Sequence, residues 1–136
     1  VKALLDLALL EPTETGSVRA IAGRQQIPAP FLEKLLIEMR QAGLVRSQRG
    51  AQGGYQLAKS LQAISLADIL KAVGERVEPL ADGAEDGQAE DWVMQAVWQQ
   101  VSLRLQQALE EITLEDLYFD ARSWQAAQGN ATEFVV

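Results

Sequence analysis

The chain has 136 residues, about one domain's worth, with 12 Lys plus Arg against 19 Asp plus Glu and a formal net charge of −7. It has neither cysteine nor histidine, which excludes a thiol nucleophile, a disulfide framework, a Ser-His-Asp relay, a Cys/His zinc site and a cysteine-held iron–sulfur cluster. Taken alone, the acidic balance also argues against nucleic acid as a partner.

Residues 2–10 (KALLDLALL) are strong helix formers and predict a first helix. The chain opens at Val1 already in that pattern, so a few native residues are expected to precede it. Pro12 and Gly16 break the chain over 11–16. Ser17 is placed to cap a helix over 18–25, with Val18, Ile21 and Ala22 at i, i+3, i+4. After Ile27-Pro28-Ala29-Pro30 a third helix is expected over 30–42, its apolar face formed by Phe31, Leu32, Leu35, Leu36 and Met39, and Gly43 its stop. The period then changes. Leu44–Gln48 and Tyr55–Ala58 read as two short strands around a Gly-rich tip, Arg49-Gly50-Ala51-Gln52-Gly53-Gly54. Three short helices followed by a hairpin is the plan of a winged helix-turn-helix: mostly α, with a small β-hairpin wing.

Ser65-Leu66-Ala67-Asp68 is a capping-box pattern opening a helix to about Val73. Residues 77–91 hold six acids and no base and read as a solvated loop. A long helix is expected from about Asp91 to Ile112, where Met94, Val97, Trp98, Val101, Leu105, Ala108, Leu109 and Ile112 step by three and four. Thr113–Asp116 is a second capping-box pattern, opening a last helix to about Ala126. This gives a DNA-binding unit over 1–75, an acidic loop over 76–91, a helical pair over 92–126 and a frayed tail over 127–136. No apolar run reaches the roughly 20 residues that a bilayer span needs, and no signal-peptide pattern is visible; a cytoplasmic location is expected.

The charge is uneven. Residues 1–59 carry eight basic and five acidic residues, the rest four and fourteen. From Val18 to Lys59 seven bases face two acids, so the stretch carrying the helix-turn-helix and wing is basic although the chain is acidic. A recognition helix enters the major groove by its N-terminal end, which here offers Ala29, Pro30, Phe31, Glu33 and Lys34. Glu33 suits a cytosine amino group, and Lys34 a phosphate or guanine edge. Arg49 at the wing tip suits a narrow minor groove, with Arg46 and Gln52 beside it. Ser17 and Arg19 are placed for backbone phosphate. No catalytic constellation is found: Glu110-Glu111 and Glu115-Asp116 fall at helix ends, where capping and dipole effects explain them, and no phosphate loop is present.

The segments Ile27–Leu36, Gly43-Leu44-Val45 and Arg49–Tyr55, followed by Ile64–Ile69, Ala96-Val97-Trp98 and Ile112–Leu117, resemble the Rrf2 family of bacterial regulators, the IscR-like winged helix-turn-helix proteins, over roughly residues 2–120. The resemblance implies a sequence-specific transcriptional regulator, more often a repressor, bound as a homodimer to a pseudo-palindromic operator. It implies a dimer interface along the long helix through Met94, Val97, Trp98, Val101, Leu105, Leu109 and Ile112, and leaves a place for an unidentified small-molecule effector. Cluster-binding members carry three cysteines before that helix. The corresponding places here fall near Leu80, Asp86 and Trp92, none a cysteine, so no iron–sulfur cofactor and no metal site is expected. Asp82, Glu85, Asp86, Glu90 and Asp91 offer oxygen ligands, but their spacing misses the EF-hand pattern. The alternative function is a winged-helix adaptor that has lost DNA binding. An enzyme is not expected.

Overall fold

In a computed structural model of the chain, residues 1–10, 15–50, 53–74 and 87–133 are described. Six helices and one hairpin follow in order: α1 (Lys2–Ala8), α2 (Val18–Gln25), α3 (Ala29–Gln41), β1 (Val45–Gln48), β2 (Gly54–Leu57), a 3-10 turn over Leu61–Ala63, α4 (Leu66–Ala72), α5 (Ala89–Glu111) and α6 (Leu114–Glu133). The mostly helical plan with a two-stranded antiparallel wing is as expected. None of the described helices is long and apolar enough to cross a membrane.

The core is built by α1, α2, α3, β1 and three residues from further along the chain, Ile64, Ile69 and Leu114. Leu4, Ile21, Leu32, Leu36, Leu44, Val45, Ile64 and Leu114 are its fully buried side chains. Leu32, Leu36 and Met39 form the inward stripe of α3; Phe31, expected on that face, is 56% exposed instead. It sits one residue before Leu32, about 100° round the helix, and so falls outside the stripe that Leu32, Leu36 and Met39 define.

The turns before and after α3 each close by a left-handed residue. Gln26 takes φ 55° after α2, and the Ile27 N–H closes on the Ala22 carbonyl at 3.1 Å. Gly43 takes φ 79° after α3. There the Gly43 and Leu44 N–H groups donate to the Arg40 and Met39 carbonyls at 3.0 and 2.9 Å, a Schellman stop. The chain is thereby turned directly into β1.

The wing pairs Val45 with Leu57, Arg46 with Gln56, Ser47 with Tyr55 and Gln48 with Gly54. A third segment joins it. Gly16 and Tyr55 exchange backbone hydrogen bonds, Gly16 N–H to the Tyr55 carbonyl at 2.9 Å and Tyr55 N–H to the Gly16 carbonyl at 2.7 Å. The approach is so close that a Cβ on Gly54 would lie 2.6 Å from the Gly16 carbonyl oxygen; only glycine fits. The tip-side half of β2 is therefore locked to the residue preceding the Ser17 cap.

Both expected capping boxes form. Ser65 Oγ accepts from Asp68 N–H at 3.1 Å while Asp68 accepts from Ser65 N–H at 3.0 Å. The Thr113–Asp116 pair repeats this at 3.3 and 3.0 Å. At α5 half of such a box is made, Asp91 accepting from the Gln88 N–H at 3.0 Å, and the helix starts at Ala89. Residues 89–91, expected in the acidic loop, are thus its first turn, because carboxylates there satisfy free N–H groups. Residues 76–86 of that loop lie outside the described ones. The last helix, expected to end near Ala126, continues to Glu133, so the polar run after Trp124 is helical to that residue.

Segments distant in sequence meet where α4 begins. Leu66 N–H donates to the Ile112 carbonyl at 2.9 Å and Leu114 N–H to the Ile64 carbonyl at 2.8 Å. Leu114, with no exposed surface, is seated in the core. By contrast, not one residue of the 23-residue α5 is buried. Trp92, Val93, Met94, Val97, Trp98, Val101, Leu103 and Leu105 all lie exposed along it.

Candidate nucleic-acid interface

Three elements carry the residues expected to meet DNA. α2 begins at Ser17, whose Oγ accepts from the Ala20 N–H at 3.1 Å, so the cap is real and Arg19 projects from the first turn. α3 packs against α2 and begins with Ala29 and Pro30 in its first turn, where proline's missing N–H costs nothing. The wing carries Arg46 on its outer side opposite Gln56 and Arg49 at the end of β1. The tip is closed by the Gly53 N–H on the Gly50 carbonyl at 2.9 Å.

Ser17, Arg19, Ala29, Pro30, Phe31, Glu33, Lys34, Arg46 and Arg49 are all exposed; Gln52 lies outside the described residues. Arg19, Lys34, Arg46 and Arg49 form no ion pair with any described residue, where the only salt bridge joins Arg24 to Asp6. Long cationic side chains with no internal partner are available to an external anion. The Gly16–Tyr55 lock holds the start of α2 against the tip-side half of the hairpin, so Ser17 and Arg19 lie next to the wing.

Arg24 belongs to the same basic stretch of sequence but is committed elsewhere. Its Nε and Nη2 donate to both carboxylate oxygens of Asp6 at 2.9 and 2.6 Å, and Gln25 Nε2 adds a third bond at 2.8 Å. Burial pushes the Asp6 carboxyl up, but the hydrogen bonds from Arg24 and Gln25 and the charge of Arg24 outweigh it and hold the group below its ordinary value. Sequence reasoning also passed over Ile37. It is exposed and continues the row Pro30, Lys34, Ile37 at i, i+4, i+7 on the outward face of α3; left off the apolar face, it carries no charge or hydrogen-bonding group that marks a DNA contact.

The Rrf2 family model, described as an iron-dependent transcriptional regulator, matches residues 1–120. The chain belongs to the Rrf2 family. The Synechocystis sp. protein slr0846, named as an HTH-type transcriptional regulator, is 55% identical over 137 residues, covering 100% of this chain and 93% of that protein. IscR of Cereibacter sphaeroides is 34% identical over 122 residues, covering 85% of this chain and 79% of it. Among solved structures, T. potens IscR has a TM-score of 0.73 at 35% identity, covering 91% of this chain and 83% of that one. CymR, the global cysteine regulator of B. subtilis, has a TM-score of 0.75 at 30% identity, covering 86% and 88%. The winged helix-turn-helix is therefore the Rrf2 one, and this is a family of transcriptional regulators, not of enzymes.

The residues of this Rrf2 chain do not fit an iron–sulfur cluster, the group that the family resemblance brings to mind. Such a cluster is held by thiolates, for which imidazole is the usual substitute, and the chain has no cysteine and no histidine. Among the described residues no group of three or more Asp or Glu is placed to hold a metal ion.

Proposed function

We propose that this Rrf2 protein is a cytoplasmic repressor that binds a pseudo-palindromic operator as a homodimer, without an iron–sulfur cluster. In this reading residues 1–75 hold DNA, 92–126 hold the second subunit, and 76–91 stand where an effector would act. The observation that carries it is the set of exposed groups on the α2 start, the α3 start and the wing, with four cations unpaired among the described residues. Docking divides the work between them. Ser17 and Arg19 fix register on phosphate, Glu33 and Lys34 reach base edges in the major groove, and Arg49 enters the adjacent minor groove. Dimerisation rests on the stripe Met94, Val97, Trp98, Val101, Leu105 and Ile112, exposed along a helix about 34 Å long, with Leu109 half-buried beside it. A two-fold pair presents two recognition helices to two half-sites. Repression then follows from occlusion, since a dimer seated on the duplex excludes other proteins from the DNA it covers.

Selection of bound sequences from a random duplex pool is the test, and an inverted repeat is the expected result. On the recovered site Arg49→Ala should weaken binding by about 1–3 kcal/mol. A single half-site without a repeat would overturn the dimer, and unchanged affinity of Arg49→Ala would overturn the wing's role. Absence of any binding at low salt would favour the adaptor instead.

A further inference from the structure

α3 begins with three consecutive exposed residues, Ala29, Pro30 and Phe31, whose side chains carry no hydrogen-bond donor or acceptor. Phe31 is the largest of them, 56% exposed. It is absent from the core cluster and from the partly buried side chains packed against it. The inward stripe of α3 is complete without it, through Leu32, Leu36 and Met39. The ring therefore stands free at the end of the helix that enters the groove, with Lys34 as its i+3 neighbour on the helix surface.

The edges of the four bases in the major groove present donors and acceptors with one apolar exception, the C5-methyl of thymine. A phenyl ring delivered there has one chemical partner. We propose that Phe31 is a specificity-determining residue that reads the 5-methyl group of a thymine in each operator half-site. This rests on the DNA-binding reading above and adds to it a base identity. Ring and methyl exclude water from one another, while Lys34 next to the ring reaches a phosphate or a guanine edge. A ring that merely rested on the sugar–phosphate backbone would be indifferent to the methyl, and that difference is measurable.

The operator recovered by selection is resynthesised with deoxyuridine in place of one thymine at a time, and Kd is measured for the wild-type protein and for Phe31→Ala. One thymine per half-site is expected at which loss of the methyl weakens wild-type binding about fourfold, with no corresponding loss in Phe31→Ala. Placing cytosine or 5-methylcytosine at that same position should restore a preference of similar size for the methylated base, again only in the wild type. Because Phe31 lies on the surface, Phe31→Ala is expected to keep the wild-type melting temperature. If no thymine is sensitive, or if the sensitive one is equally so in Phe31→Ala, the assignment falls while DNA binding stands. Failure to recover any site overturns the underlying reading as well.

Discussion

Asp6 is a carboxylate 5% exposed on the first helix of an apolar core, and its three donors come from the far end of α2. The pair fixes α2 against α1 and commits one half-exposed arginine to an internal partner. Removing Arg24 leaves a buried charge with one amide donor. Arg24→Ala should therefore cost about 2 kcal/mol, less than for a wholly buried pair because its guanidinium is half in water. The folded-state pKa of Asp6 lies below its ordinary value of 3.8, so its contribution is fully present above that value. It is lost as pH falls through the lower, folded value. Urea unfolding of the wild type and Asp6→Asn from pH 7 to pH 2 should show a stability gap that is constant at the upper end and closes in strong acid. A gap that widened toward acid would contradict the assignment. The pairing was not legible in the sequence, where Arg24 is one base in a basic stretch and Asp6 an interruption of an apolar run; 18 positions separate them. Phe31 was misassigned for a related reason, since at a helix N-terminus one turn is too short to fix which way a residue points.

At the scale of elements, periodicity made the helix-turn-helix, the wing and both Ser/Thr capping boxes readable. What it could not provide was pairing by single residues. The Gly16–Tyr55 exchange has no repeat to reveal it, yet it joins the wing to the start of α2. Gln88 escaped notice as a cap because glutamine is an uncommon one, and α6 was cut short because its polar end resembles a tail. The stripe on α5 was legible; that it lies exposed although α5 meets α4 was not. With nothing on α5 buried, its apolar residues contribute little to the folding of one subunit, so disrupting them should separate assembly from folding. Val101→Glu should raise the dimer dissociation constant by about 100-fold or more, read by sedimentation equilibrium. The circular-dichroism spectrum and melting temperature of the N-terminal unit should change little. A persistent dimer would place the interface elsewhere.

For the whole molecule, net charge and the charge of the docking edge have opposite signs. Arg19, Lys34, Arg46 and Arg49 give four cations to each chain's docking edge, whereas 14 acids of the same chain lie beyond residue 59. Long-range repulsion then weakens encounter with arbitrary DNA, while the local contacts still release counterions on a correct site. The logarithm of affinity for the selected operator should fall with the logarithm of salt concentration with a slope on the order of −5, and nonspecific binding should be weak throughout. A flat salt response would show that these side chains do not meet phosphate.

The joint where Leu66 meets Ile112 and Leu114 meets Ile64 bears on how stiff such a dimer is. Swinging α5 away from the DNA-binding unit breaks two backbone hydrogen bonds and draws Leu114 out of the core, at a combined cost of about 4 kcal/mol. A sprung joint would then occur in about one molecule in a thousand at room temperature. The pitch between the long helix and the recognition helix is thus held by main chain, not by exchangeable side chains. The gap that two recognition helices span is accordingly a property of the backbone, and surface substitutions elsewhere can retune which bases are read without altering how far apart they are read.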